Sequence, residues 1–295
     1  MGVGIGSCGL AEGRQIPHHG EAIVLRTWPF HEADLLVSLF TREQGKVKGV
    51  ARHAMKSRKR FGGALEPATH VLAHYTERPR QDLVRLDSFE ILWSPLTAPV
   101  DVLRLAGLQL VVEVLEEAMP DGAVEDNVFR LAVTCLAAMG IGGGVEESGS
   151  RVRTNAHLSD DDAVAKMGHP RESRAKESGV WLAMTYFCLW MCRLMGWMPE
   201  LGHCAACGLD LRGAAVYWSP TADGVTCYDD RRPGSRVLSA ASVAESYRIA
   251  RTGLAELAVQ DWPAERSADL RAFAVGTLER HLERRLRSAA ALLPS

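Results

Sequence analysis

The sequence predicts an α+β protein, with a small five-stranded β barrel followed by an all-α domain that carries a short cysteine-bearing module. Three observations support this class. Short β-branched and aliphatic runs separated by turn residues fill residues 21–93. From residue 98 onward the apolar residues recur with the period of a helix. A Cys-x-x-Cys pair, Cys204 and Cys207, then interrupts the helical pattern.

The β region contains five predicted strands, and charged or turn-forming residues separate them. The first is followed by Pro29, and the second ends at a turn whose last residue is Gly45. The predicted strands are residues 21–28, 34–41, 46–52, 68–76 and 82–92. Five strands in about 75 residues match the size of an OB-fold, a partly open barrel that binds oligonucleotides.

The α region contains five predicted helices. Asp101 is placed to cap the first, and Pro263 suits the first turn of the last because its missing N–H costs nothing there. The predicted helices are residues 101–119, 125–139, 179–198, 240–259 and 263–293.

These patterns give a domain plan. We expect residues 1–20 to be a disordered leader, residues 21–97 to form the OB-fold and residues 98–295 to form the helical domain. Residues 140–178 have few large apolar side chains, so they cannot offset the entropy of an ordered chain and are expected to be a flexible insertion. The cysteine module is expected at residues 202–230.

Composition narrows the class of protein. The formal net charge of the 295 residues is −2, so any site for nucleic acid must be local. Seven cysteines, an odd number, favour a reducing cytoplasm over a disulfide scaffold. No apolar run reaches the roughly 18 residues of a membrane span. Nucleophile-elbow, phosphate-loop and zinc-protease motifs are absent from the sequence, which predicts a protein that is not an enzyme.

Residues 45–63 form the strongest candidate site, because they hold seven Lys or Arg residues and no carboxylate. Such a run is suited to a phosphate backbone, although a solvated surface loop is the alternative. Phe61, Trp28 and Phe30 could offer stacking faces to bases, with core packing as the alternative for each. The predicted DNA-binding residues are Lys46, Lys48, Arg52, Lys56, Arg58, Lys59, Arg60 and Phe61.

A second candidate site is a zinc centre. Cys204 and Cys207 have the spacing of a zinc knuckle, and Cys227 follows at about the distance of a second pair. The fourth position is Asp230, and a carboxylate oxygen is an acceptable ligand for zinc. His203 and Asp229 are other candidate ligands, and a metal-free hairpin is the alternative to a zinc site.

The order of these parts resembles the RecO family of bacterial recombination proteins. The match is closest in EAIVLRTWPFHEADLLVSLFTREQGKVKGVARHAMKSRKRFGGALEPATHV, including Glu32, Asp34 and the Gly-Lys turn. It sharpens again in GHCAACG and YWSPTADGVTC. The sequence departs from the family at His53, where Gly is usual, at Asp230, where Cys is usual, and in the longer insertion.

The resemblance implies an OB-fold that binds single- and double-stranded DNA and anneals complementary strands. It also implies two partners, RecR and the C-terminal tail of single-strand-binding protein, and help in loading RecA at gaps. A cytoplasmic, nucleoid-associated location follows from the same resemblance. The alternative is a protein-interaction scaffold whose DNA contact is only auxiliary.

Overall fold

The computed structural model describes residues 15–56, 60–78, 81–98, 101–140 and 170–291, with only the backbone given for residues 170–176 and 291. These residues form two compact units. The first holds the described residues up to Ser94 together with Met119–Glu125, and the second holds Pro95–Ala118 and the described residues from Asp126 onward. The first unit is built on strands and the second mainly on helices, which confirms the predicted α+β class.

The first unit is a barrel of five strands, as predicted. Its sheet closes in the order β1-β2-β3-β5-β4, with β4 returning to β1. Only the β3–β5 pairing is parallel among these five strands. This is the arrangement expected of an OB-fold. The strands are β1 (Ile16–Phe30), β2 (Asp34–Thr41), β3 (Gly45–Ala51), β4 (His70–Glu77) and β5 (Val84–Trp93).

β1 is long enough to close the barrel by pairing with two neighbours. Residues 16–23 pair with β4, residues 22–30 pair with β2, and a bulge between Val24 and Arg26 bends the strand between them. β1 begins at Ile16, so the predicted leader of residues 1–20 is too long at its C-terminal end. The apolar pattern that marks the rest of the strand is missing from the Pro-His-His-Gly segment that follows Ile16. Residues 1–14 lie outside the described part of the chain.

Alternate residues of the strands fill the barrel interior. Val24, Val37, Leu39, Val71 and Leu86 are each no more than 1% exposed and belong to one core cluster. The alternation of apolar residues along each strand therefore predicts correctly which side chains face the barrel interior.

In the second unit α3 packs mainly against α1, α2 and α6. Asp101 accepts a hydrogen bond of 2.7 Å from the backbone N–H of Arg104, which confirms the predicted cap. A two-stranded sheet, β6–β7, completes this unit. Its elements are α1 (Val102–Ala118), α2 (Asp126–Gly140), α3 (Pro170–Leu194), β6 (Val216–Trp218), β7 (Arg236–Leu238), α4 (Ala240–Ile249), α5 (Leu254–Leu257) and α6 (Ala268–His281).

Three helix predictions need correction. α3 begins at Pro170, inside the predicted insertion of residues 140–178; residues 141–169 lie outside the described part of the chain. The predicted helix at residues 240–259 is two helices, because Gly253 starts a new one. The last helix begins at Ala268 rather than at Pro263, since Ser267 before it has a left-handed backbone with φ 55°.

Cys188 and Cys192 are fully buried on α3, as their spacing on an apolar helix suggests. Burial raises the pKa of the Cys188 thiol to about 12, so this thiol remains protonated and unreactive at neutral pH. None of the described helices combines the length and apolar character needed to cross a membrane.

Candidate functional site

A cleft of about 530 Å³ opens at one end of the barrel. Three segments that are distant in sequence form its walls: the β1–β2 turn, the end of β3 and the loop between β4 and β5. In OB-folds the corresponding loops and strands form the surface that binds oligonucleotides. The position of the cleft therefore fits a nucleic-acid interface.

The charged residues that line the cleft carry more positive than negative charge. Three arginines line it, Arg52, Arg78 and Arg85, against two carboxylates, Asp34 and Asp82. Phe30, half-buried at the end of β1, adds an aromatic ring beside His31, with the ring centroids 4.2 Å apart. The cleft thus combines cations for phosphates with a ring that could stack on a base.

The arginines of the cleft differ in how far the protein already uses them. Arg85 donates a hydrogen bond of 2.7 Å to Asp87. Arg52 is exposed. The Nε of Arg78 is buried and has no hydrogen-bond partner within the described ranges. An unpaired buried donor is costly, so a ligand oxygen in the cleft would offset that cost.

One carboxylate of the cleft is held in place by a backbone hydrogen bond. Asp34 accepts a hydrogen bond of 2.7 Å from the backbone N–H of His53. His53 has a left-handed backbone with φ 53°, a conformation that Gly adopts more readily than a residue with a side chain. The turn at His53 carries the chain away from β3 beside the cleft.

The structure separates the predicted DNA-binding residues into groups. Lys46 and Lys48 lie on the outer face of β3, where Asp121 contacts both. Arg52 and Lys56 are exposed near the cleft end of that strand. Arg58 and Lys59 lie outside the described residues.

The structure corrects the prediction that Phe61 offers a stacking face to bases. Its side chain is 2% exposed and packs edge-on against Phe89, with centroids 5.4 Å apart. The guanidinium of Arg60 covers the ring from outside, 5.2 Å from its centroid. Core packing, the alternative considered for Phe61, is therefore the correct interpretation. Trp28 is half-buried under the guanidinium of Arg26, which lies 5.2 Å from the ring centroid.

Sequence reasoning missed Arg78 and Arg85. For Arg78 the signal was the charged loop ERPRQD, residues 77–82, which joins two predicted strands. Arg85 follows this loop within the last predicted strand. Loops at the rim of a small barrel are where OB-folds place ligand contacts, so this loop could have been included.

The cysteine module brings four predicted ligands together. One ligand atom each from Cys204, Cys207, Cys227 and Asp230 lies within 4.8 Å of the others. The Sγ atoms of Cys207 and Cys227 are 3.9 Å apart. Zinc with Zn–S bonds of about 2.3 Å places tetrahedral sulfur ligands about 3.8 Å apart. The donor set and its spacing therefore fit a tetrahedral metal ion.

Asp230 completes this cluster. Its Oδ2 lies 3.3 Å from the Sγ of Cys204 and 3.2 Å from the Sγ of Cys227, and both thiols donate to it. The Cys207 thiol lowers the pKa of Asp230, as do the other two thiols. The carboxylate is therefore ionised and available as a fourth ligand.

Backbone N–H groups favour the thiolate form of Cys204, which is the form that binds a metal. Burial alone would raise its pKa, but N–H groups of Cys207 and Cys227 point at the sulfur and lower the pKa of the thiol. The N–H of Cys227 lies 3.3 Å from that sulfur. Stabilising the thiolate in this way favours metal ligation.

The two other candidate ligands are not part of the cluster. His203 Nδ1 lies 2.8 Å from Glu200 Oε1. Asp229 is exposed and does not belong to the group of close ligand atoms. Of the alternatives for the fourth ligand, the geometry favours Asp230.

Comparisons with known proteins agree with this architecture. The family model described as Recombination protein O N terminal matches residues 16–95, and the one described as Recombination protein O C terminal matches residues 174–290. A protein of Koribacter versatilis named DNA repair protein RecO is 44% identical over 90% of this chain and 94% of its own length. This chain belongs to the RecO family.

Two further RecO proteins extend the comparison. The one from Anaeromyxobacter dehalogenans is 31% identical and the one from Geobacter sulfurreducens is 29% identical, each over at least 90% of both chains. The RecO resemblance seen in the sequence is thereby confirmed for both the barrel and the helical unit.

Proposed function

We propose that this RecO-family chain acts in DNA repair by homologous recombination, binding single- and double-stranded DNA through the barrel. The observation that carries the proposal is the cleft, where Arg52, Arg78 and Arg85 converge on the surface that OB-folds use for oligonucleotides. The names of the relatives, DNA repair protein RecO, support the biological setting.

Binding in this proposal is independent of sequence. Arginines and lysines hold phosphates, and each neutralised phosphate releases counterions. Phe30 stacks on a base without distinguishing one base from another. Lys56, exposed near the cleft end of β3, adds a further cation. Arg58 and Lys59 remain proposed DNA contacts because of their charge alone.

Strand annealing follows from this mode of binding. Two complementary strands repel each other because both are polyanions, and a cationic surface that neutralises one strand lowers that repulsion. Because bases are stacked rather than read by hydrogen bonds, their pairing edges stay available to the second strand. The mechanism is binding and alignment, and it breaks no covalent bond, so we propose a protein that is not an enzyme.

The partners in the proposal come from the family resemblance. RecR and the C-terminal tail of single-strand-binding protein would place the chain at single-stranded gaps, where it helps to load RecA. A cytoplasmic, nucleoid-associated location accompanies these partners.

We also propose a structural zinc ion in the cysteine module, held by Cys204, Cys207, Cys227 and Asp230. These residues come from two hairpin segments, and a shared ion would hold the segments together. Tetrahedral ligation by four protein groups leaves no open position, so the ion would stabilise the module and take no part in chemistry.

Binding of a fluorescent single strand tests the proposed DNA site. Changing both Arg52 and Arg78 to Ala should weaken binding and reduce the slope of log K against log salt by about 1.4, since each single-strand phosphate contributes about 0.7. Arg251→Ala, an exposed arginine outside the barrel, is the control. Equal binding by wild type and the double variant would show that the cleft is not the site.

A further inference from the structure

The turn that follows α1, Met119–Glu125, packs with the barrel unit. The backbone N–H of Gly122 donates to the carbonyl of Lys46 at 2.9 Å, beside the start of β3. Gly45 accommodates the turn, because a Cβ at that position would lie 2.1 Å from the carbonyl oxygen of Ala123. The turn is therefore closely fitted to the strand.

The turn presents Asp121 to two lysines of the predicted DNA-binding set. One carboxylate oxygen lies 3.3 Å from Lys46 Nζ and the other lies 3.7 Å from Lys48 Nζ. The side chain of Lys46 is only 10% exposed, whereas that of Asp121 is 65% exposed. An anion with two oxygens therefore contacts two ammonium groups at the protein surface, each of which could instead bind a DNA phosphate.

These lysines continue the cationic lining of the cleft. Successive residues of a strand point to opposite faces, so Lys46, Lys48 and Val50 share the outer face of β3. Val50 lines the cleft and pairs with Arg85. The distance from Lys46 to Arg52 along the strand is about 20 Å at 3.3 Å per residue. We call the line of Arg52, Arg85, Lys48 and Lys46 the β3 track.

We propose that Asp121 is an internal phosphate mimic that closes the β3 track at the Lys46 end. This inference rests on the proposed function and adds to it a residue that sets the length of strand bound. A single strand seated in the cleft and running along β3 meets Asp121, which already occupies Lys46 and Lys48. The strand gains those two cations only when two of its phosphates displace the carboxylate, one at each lysine.

Removing the charge of Asp121 should therefore lengthen the site. We expect Asp121→Asn to bind a fluorescent oligothymidylate more tightly at low salt, with the slope of log K against log salt steeper by about 1.4, the contribution of two phosphates. Asp121→Ser, which removes the same charge with a smaller side chain, should give the same slope. Glu125→Gln, an equal change of charge at another exposed residue of the turn, should leave the slope unchanged.

A second substitution tests whether the gain acts through the lysines. Lys48→Gln should change the slope little in wild type, where Asp121 holds that lysine. In the Asp121→Asn background it should remove about half of the added slope, since one phosphate contributes about 0.7. A thermal melt of each variant confirms that it is folded.

The outcomes separate this inference from the function on which it rests. If wild type binds DNA and the folded Asp121→Asn and Asp121→Ser variants show the same salt slope as wild type, the inference is wrong and the proposed function stands. Absence of binding by both wild type and Asp121→Asn would overturn the proposed function and the inference together. Binding by Asp121→Asn when wild type does not bind would support the mimic and show that it closes the site completely.

Discussion

Glu113 in α1 accepts a hydrogen bond of 2.9 Å from the backbone N–H of Ser288, a residue 175 positions later in the chain. The backbone N–H of Arg287 donates to the other carboxylate oxygen, also at 2.9 Å. One acidic side chain thus satisfies backbone donors near the C-terminal end of the described chain and ties that segment to the first helix.

This contact predicts a pH-dependent contribution to stability. Burial alone would raise the pKa of Glu113, but the hydrogen bonds from Ser288 and Arg287 and the charge of Arg284 lower it below its usual value of 4.5. A lowered folded pKa means that the stabilisation is present above the unfolded pKa and is lost as pH falls through the folded pKa.

We expect Glu113→Gln to cost about 1–2 kcal/mol at pH 7, measured by urea unfolding, with the difference from wild type shrinking below pH ~4. Glu256→Gln, at an exposed position in α5, should cost less than about 0.5 kcal/mol. A difference for Glu113→Gln that is constant from neutral to acidic pH would contradict the ionic origin of the contact.

The stability cost of replacing Gly by Ala should differ among three glycines, according to backbone strain and steric clash. Gly45 has φ 65° and would place a Cβ against Ala123, whereas Gly122 has φ 74° with open space around it. Gly63 has open space and no positive φ. We expect Gly45→Ala to cost the most, about 2–4 kcal/mol, Gly122→Ala about 1 kcal/mol and Gly63→Ala almost nothing. Equal melting temperatures for Gly45→Ala and Gly122→Ala would show that the turn does not pack on β3 as described.

Phe61 should behave as a core residue. Phe61→Ala removes a ring that is 2% exposed and should cost about 3–5 kcal/mol of unfolding free energy. Tyr228→Ala, at a ring that is 60% exposed, should cost less than about 1 kcal/mol. A Phe61→Ala variant that keeps wild-type stability would contradict the assignment of Phe61 to the core.

We expect the residue at position 230 to determine how much zinc the cysteine module contains. Carboxylate is a harder ligand than thiolate, so zinc bound by three thiolates and Asp230 should be held more weakly than by four thiolates. Protein purified without added zinc should contain less than one ion per chain, Asp230→Cys should raise the content towards one, and Asp230→Ala should lower it. If none of the three proteins contains zinc after zinc is supplied, the module is a metal-free hairpin.

Local patterns in the sequence located most of the barrel. The prediction for β2, residues 34–41, matches the observed strand because alternation between two faces is a property of neighbouring residues. The fourth ligand candidate, Asp230, was also reachable, since knuckle spacing is local. The start of β1 was missed because the Pro-His-His-Gly segment lacks an apolar face and is a strand only through its pairing with β4.

The features of the site that the sequence did not predict depend on contacts between residues far apart in the chain. Phe61 follows a run of cations and therefore looks exposed, yet Phe89 of β5 packs against it. Asp121 is 75 positions from Lys46, and no local pattern predicts their contact. The cleft needs three separate segments of the barrel to meet, so its arginines share a site only in the folded chain.

The salt dependence of DNA binding tests the central claim most directly. Anisotropy of a fluorescent oligothymidylate should be titrated with wild-type protein from about 50 to about 200 mM NaCl. Arg52 and Arg78, at about 0.7 per phosphate, predict a slope of log K against log salt of about −1.4 or steeper. Absence of binding at the lowest salt, or binding with a slope near zero, would contradict a cationic DNA site on the barrel.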